Sequence, residues 1–238
     1  MNIAVVTTFN NKLYKKYAYR FMETYNWDFD LHVYSENAIP GSYIDYIDLY
    51  SVPGCKEFVE RNAERSAKDA QVSYKFDSVR FSYKIYAYTD FILNKAKDYD
   101  GVICIDADSV FYKPIGSKWI KEHIHRDDCM MGYLGRAGYY SECGFLYFNM
   151  NHKDTLDYAA EMKKMYDTDS LYKEKEYHDS WIWDVVRNRF EKNKGTKNFN
   201  IGDNAKGHVQ ARSPLGKIYD HTKGKRKVSG VSPEFKRI

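Results

Sequence analysis

Two aspartates one residue apart, Asp106 and Asp108, follow a short apolar run within residues 101–114, GVICIDADSVFYKP. Val102 to Ile105 are apolar and preceded by Asp100 and Gly101, a pattern that predicts a buried strand rather than a helix. In an extended segment residues i and i+2 point the same way. Both carboxylates can therefore face one ligand at the carboxyl end of a sheet strand, where open α/β folds place their sites. Two like charges held that close repel, and a hard divalent cation relieves the repulsion. Taken alone, Asp-Ala-Asp also reads as a solvated turn that caps the next segment.

A second group lies near the end of the chain, His221-Thr222-Lys223-Gly224-Lys225-Arg226-Lys227. The imidazole can bind a metal, Gly224 lets backbone N–H groups approach an oxyanion, and Lys227 can neutralise phosphate. As a basic heptapeptide alone it equally suits solvated surface or a nucleic-acid patch. From Lys206 onward nine Lys or Arg stand against Asp220 and Glu234, so this tail carries +7 of a net +4 and the remainder carries −3. That asymmetry fits an anion-binding segment or a frayed terminus.

The elements that must position these residues follow from periodicity. Residues 3–9, IAVVTTF, predict a buried strand by their β-branched run. Asn10 and Asn11 can cap a helix over 12–25 with Leu13, Tyr17, Phe21 and Tyr25 on one face. Residues 31–35 and 43–50 predict two more strands around a Pro40-Gly41 turn. Strand, helix, strand in this order predicts a mainly parallel central sheet flanked by helices. Thr7 and Thr8 then share a rim with Asp106; in a nucleotide-binding domain, that rim is where a base and ribose would sit. Residues 55–69 read as a charged helix or a loop with helical turns. Asp77 or Ser78 can cap a long helix to about Lys97, with the stripe Phe81, Ile85, Tyr88, Ile92, Ala96 toward the sheet. Arg80 and Lys84 lie on a neighbouring face in its first turns, where cations oppose the helix dipole unless an anion compensates.

Residues 130–134 and 144–150 predict two further strands joined by GRAGYYSEC, a connector holding Glu142 and suited to a binding loop as much as to a hairpin. A helix from Asn151 or His152 to about Tyr166 should turn Leu156, Ala159, Ala160 and Met162 or Met165 inward. Asp179 opens another helix, as an N-cap or as a site residue. The 238 residues, 43% of them apolar, suit one large α/β domain with a sizeable core. Cys55, Cys104, Cys129 and Cys143 form no C-x-x-C pair and read as reduced packing residues. No run approaches the roughly 18 apolar residues of a membrane span, and no basic leader precedes an apolar stretch, so a cytoplasmic protein is expected.

Together these residues resemble GT-A fold glycosyltransferases, most closely the family 8 type that includes glycogenin and bacterial lipopolysaccharide galactosyltransferases. Asp106-Ala107-Asp108 matches the family's Asp-x-Asp, and His221, Gly224 and Lys227 match its C-terminal His-x-x-Gly-x-x-Lys. Arg80 and Lys84 resemble the Arg and Lys that the family carries near the donor. Glu142-Cys143-Gly144 stands where the family has Asn-x-Gly, Asp179-Ser180 where it has Asp-Gln, and Val228-Ser229 where it has Pro-Trp. The resemblance implies a Rossmann-like nucleotide-diphospho-sugar transferase fold in a single domain over 1–238. Within it, 1–115 would bind the nucleotide sugar, 116–205 would face the acceptor, and 206–238 would form a diphosphate-binding lid.

The resemblance also implies a hexosyl- or pentosyltransferase using a nucleotide sugar, UDP-sugar foremost, with Mn²⁺ or Mg²⁺ held by Asp106, Asp108 and His221. Thr7, Thr8, Arg80, Lys84, Ala107, Lys223, Gly224 and Lys227 would bind the donor. Retention is implied, with Asp179 or Glu142 near the reacting carbon; an inverting enzyme would use one of them as general base. The acceptor is open: a glycan, a lipid-linked sugar, a protein or a modified base. Two other readings stand beside it. One is an Asp-x-Asp phosphatase of the haloacid dehalogenase type, and the other is a non-catalytic carbohydrate- or nucleic-acid-binding module, suggested by 23 tyrosines and the basic tail.

Overall fold

The structure is a computed structural model and describes residues 1–39, 44–204 and 206–235. The expected Pro40-Gly41 turn lies outside the described residues. Among those described, a seven-stranded sheet runs in the order β3-β2-β1-β4-β7-β6-β8. Its strands are β1 (Ile3–Thr8), β2 (Asp30–Ser35), β3 (Tyr46–Asp48), β4 (Gly101–Ile105), β6 (Met131–Arg136), β7 (Tyr139–Asn149) and β8 (Phe199–Asn200). Only β7 runs against the rest, pairing antiparallel with both β4 and β6, so the expected mainly parallel α/β sheet is what forms. β3 is shorter than predicted, because residues 49–51 turn into a 3₁₀ helix.

The continuous apolar runs of β1 and β4 exist because both faces of this sheet are covered. Ala4, Val6, Val102, Cys104, Leu146 and Phe148 face one core, built with the helices Cys55–Val72, Ser78–Asp90, Thr155–Asp167 and Asp179–Lys194. Ile3, Val5, Ile103, Ile105, Phe145 and Tyr147 face the other, closed by Phe21, Trp27, Ile120 and the tail residues Val209, Leu215, Ile218 and Tyr219. Among the described residues no helix is long and apolar enough to cross a membrane. The four cysteines are unpaired.

Several local expectations need correction. The first helical stretch, 11–24, is capped by Asn10 as expected, but Tyr14–Ala18 forms a π turn. The extra residue in that turn shifts the phase, so Ala18 and Phe21 are buried while Leu13 and Tyr17 are only partly covered. In Thr155–Asp167 the inward face is Thr155, Tyr158, Ala159, Met162, Met165 and Tyr166, whereas Leu156 and Ala160 are exposed. Of the two readings open to the connector after β6, the structure takes the tight hairpin. Only Ala137 and Gly138 separate the strands, with Gly138 at φ 66°, a conformation favourable to glycine.

The tail is far less independent than its composition suggests. A second, two-stranded sheet pairs β5 (Ser109–Phe111) with β9 (Tyr219–His221), so residues 209–222 belong to the core and only 223–235 remain as a surface segment. That segment is stapled at its base, since the fully buried Asp220 accepts hydrogen bonds from Ser232 N (2.5 Å) and Ser232 Oγ (2.6 Å). Its crest is held by Arg20, which donates to the Lys227 carbonyl at 2.8 Å. Asp220→Ala leaves a buried N–H unpaired, which costs about 1–3 kcal/mol. Urea unfolding should register that loss, together with faster proteolysis within 223–231; unchanged values in both would remove the staple.

Candidate active site

Asp106 and Asp108 leave the carboxyl end of β4, as the apolar run requires. Antiparallel pairing places Ser109 opposite His221, which brings the two distant motifs together. Thr222 tightens the junction by donating to the Asp108 carbonyl from both its N–H (2.8 Å) and its Oγ1 (2.7 Å). His221 Nε2 lies 3.5 Å from Asp106 Oδ2 and 3.3 Å from Asp108 Oδ1. One ligand atom from each of the three residues falls within 4.8 Å of the others, an arrangement that could hold a metal ion. Two carboxylate oxygens and one imidazole nitrogen are donors of the kinds that bind divalent cations.

The other imidazole nitrogen is held from behind. Glu142 Oε1 lies 3.0 Å from His221 Nδ1, and its Oε2 accepts from Lys223 Nζ at 2.7 Å. Such a carboxylate fixes the tautomer and ring orientation of a metal-binding histidine. Both Glu142 oxygens are thus engaged, and the residue is 4% exposed. Gly144 supplies the space for this packing, because a Cβ there would lie 2.3 Å from the His221 ring. Gly144→Ala removes no ligand yet must displace His221. Mn²⁺ affinity is expected to fall roughly 10–100-fold; calorimetric titration giving the wild-type value would detach His221 from metal binding.

Lysines occupy the remaining carboxylate oxygens. Lys84, buried on Ser78–Asp90, places Nζ 2.6 Å from Asp106 Oδ1, 2.7 Å from Asp179 Oδ2 and 2.6 Å from the Cys143 carbonyl. Lys227 Nζ sits 2.8 Å from Asp108 Oδ2 and 4.5 Å above the Tyr17 ring. Burial raises the Asp108 carboxyl, but His221 and Lys227 outweigh it and hold the group well below the ordinary carboxylate range. Asp106 is lowered too, with burial overcome by Lys84 and His221. Burial opposes charge on His221, yet Asp108, Asp106 and Glu142 hold its pKa well above the usual value. Four carboxylates (Asp106, Asp108, Glu142, Asp179) thus face three lysines (Lys84, Lys223, Lys227) and the His221 imidazole.

Asp179 was a candidate cap, but the cap is His178, whose Nδ1 accepts from Trp181 N at 3.3 Å. Asp179 is the first helical residue and accepts from Ser180 N at 2.8 Å while its other oxygen holds Lys84. With Asp106, Glu142, His221 and Lys223 it lines a cleft of ≈ 210 Å³. Of the other expected donor residues, Thr8 lies half-buried on the shared rim, but Thr7 is completely buried and Ala107 packs with Phe9, Ala18 and Val33. Strand alternation turns Thr7 inward beside its half-exposed neighbour. Arg80 is exposed at the outer edge, 5.6 Å from the Phe81 ring that lines the cleft, and Gly224 is exposed in the surface segment.

The sequence did not single out Arg136, Tyr140 or His178, which also line the cleft. Nor did it signal the buried His208, lying 3.6 Å from Glu142 and 3.8 Å from Asp220. The paired tyrosines in the connector were the only visible hint.

No family model and no curated protein matches the chain. Among solved structures, mouse xyloside xylosyltransferase 1 is similar over 85% of this chain and 86% of its own, at 8% identity and a TM-score of 0.48. A glycosyltransferase involved in glycosylation of the major capsid of PBCV-1 aligns over 97% and 100%, at 13% identity and 0.45. The glycosyltransferase GlyE of Streptococcus pneumoniae aligns over 84% of this chain but 45% of its own, at 13% identity and 0.45.

Proposed function

We propose that this protein is a metal-dependent GT-A glycosyltransferase that moves a sugar from a nucleotide-diphosphate sugar, UDP-sugar foremost, to an acceptor. The observation that carries the reading is the convergence of Asp106, Asp108 and His221, with Lys227 and Lys223 reaching the same site from one loop. Asp106, Asp108 and His221 would hold Mn²⁺ or Mg²⁺, which supplies positive charge where the diphosphate leaving group develops its own. Glu142 orients His221. Lys227 and Lys223 now rest on carboxylates, and a diphosphate competes for both ammonium groups by charge-assisted hydrogen bonding. Residues 223–235 would then act as the lid, a shorter one than the whole tail.

Asp179 would stand at the donor sugar, held by Lys84 and the Ser180 N–H so that its carboxylate keeps one orientation. That placement fits a retaining transfer, with Thr8 on the nucleotide side of the rim. The test is a panel of UDP-, GDP- and other nucleotide sugars, with and without Mn²⁺, read as nucleotide release without acceptor. Mn²⁺-dependent release from one or a few donors is expected. Release of inorganic phosphate from monoesters, with no response to any nucleotide sugar, would favour the phosphatase and end this reading.

A further inference from the structure

The hairpin tip at residues 136–140 stands between the catalytic cleft and a larger one. Tyr140 belongs to both walls, and the outer cleft, ≈ 540 Å³, continues past Gly138 and Tyr139 to Trp181, Asp184 and Asn188. That volume is within the roughly 300–1,000 Å³ of small-molecule sites. Resting on the glycosyl-transfer reading, we infer that this outer cleft is the acceptor subsite and that it takes a neutral carbohydrate, with Tyr139 as the stacking platform.

Tyr139 is exposed but not loose. The residue is 63% exposed, yet Arg136 lies 5.4 Å from its ring centroid, Lys75 5.9 Å and the Tyr140 ring 4.9 Å. Two cations and a neighbouring ring hold the face in place on a two-residue turn, which lowers the entropy cost of stacking a ligand on it.

The charges that line the outer cleft are mostly paired. Lys75 is paired with Glu176 at 2.9 Å, and Glu176 also holds His178 at 2.8 Å. Asp184 accepts from Ser141 N at 2.6 Å and pairs with Arg187 at 3.0 Å. Lys175, 5.8 Å from the Trp181 ring, is the one lining charge without an ion pair among the described residues. The wall therefore offers aromatic faces and hydrogen-bonding groups but little net charge. A sugar ring, with an apolar C–H face and a hydroxyl rim, complements both. A polyanion needs unpaired cations along its path; Arg136 and Lys206 line a further cleft that shares Gly138 and Tyr139 with this one, and neither lines the outer cleft itself.

The test titrates the full chain, without donor, with neutral tri- and tetrasaccharides of glucose, galactose and xylose, a heparin-derived tetrasaccharide and a short oligonucleotide. Saturation-transfer NMR should detect at least one neutral glycan. Tyr139→Ala should weaken it about tenfold or more, the equivalent of about 1.4 kcal/mol, while Tyr139→Phe keeps the ring and restores binding. Binding by charged probes only, by none of the panel, or equally by Tyr139→Ala overturns the inference. Mn²⁺-dependent donor hydrolysis without neutral-glycan binding would remove only this subsite; glycan binding without any donor turnover would instead remove the enzyme and leave a carbohydrate-binding module.

Discussion

Asp108→Asn is expected to lose Mn²⁺-dependent nucleotide release by on the order of a thousandfold, comparable to removing a main electrostatic element of an active site. Asn keeps the shape and one oxygen but lacks the charge that Lys227 and His221 now satisfy, so the cation site loses half of its carboxylate pair. The Asp108 carbonyl still receives both Thr222 hydrogen bonds, since that contact is to the backbone. Cooperative thermal unfolding should therefore persist. Full metal-dependent activity in this variant would sink the assignment of Asp108.

Lys84→Met should produce the largest loss of stability. The side chain is 10% exposed, and its ammonium is shared by two carboxylates and a carbonyl. Breaking a buried ion pair by removing one partner costs about 3–5 kcal/mol, a large part of the roughly 5–15 kcal/mol of a typical domain. A distinguishing consequence follows from the position of Asp106. Mn²⁺ beside that carboxylate replaces part of the missing charge, so it should raise the urea midpoint of the variant more than that of the wild type. A variant as stable as the wild type would mean the pairs contribute nothing. Equal Mn²⁺ shifts would mean that metal and Lys84 do not share Asp106.

Much of the frame was legible because its signals are local. The β-branched run at 3–8, the apolar run before Asp106 and the Asn10 cap each sit within a few residues of the element they specify. The Asp-x-Asp and His221 motifs were visible as residue types. Their meeting was not derivable from spacing, because it depends on the β5–β9 register, a tertiary pairing. The phase of Thr155–Asp167 was misjudged because Leu156 was assumed to be inside, while Tyr158 and Tyr166 are the rings that fill the core. Asp179 reads from the sequence equally as a cap or as a site residue, because Asp suits both. The cap is in fact a histidine side chain, which leaves Asp179 free to hold Lys84. The tail looked loose by charge and glycine content, yet Val209, Leu215, Ile218 and Tyr219 are enough to anchor it.

The central claim is that Asp106, Asp108 and His221 form one metal site that a nucleotide diphosphate completes. Electron paramagnetic resonance of free Mn²⁺, titrated with protein in the presence of UDP, measures it directly. The wild type should remove one Mn²⁺ per chain from solution, with Asp106→Asn, Asp108→Asn and His221→Ala each greatly weakened. Undiminished free Mn²⁺ with the wild type, or uptake unchanged in all three variants, would contradict the account.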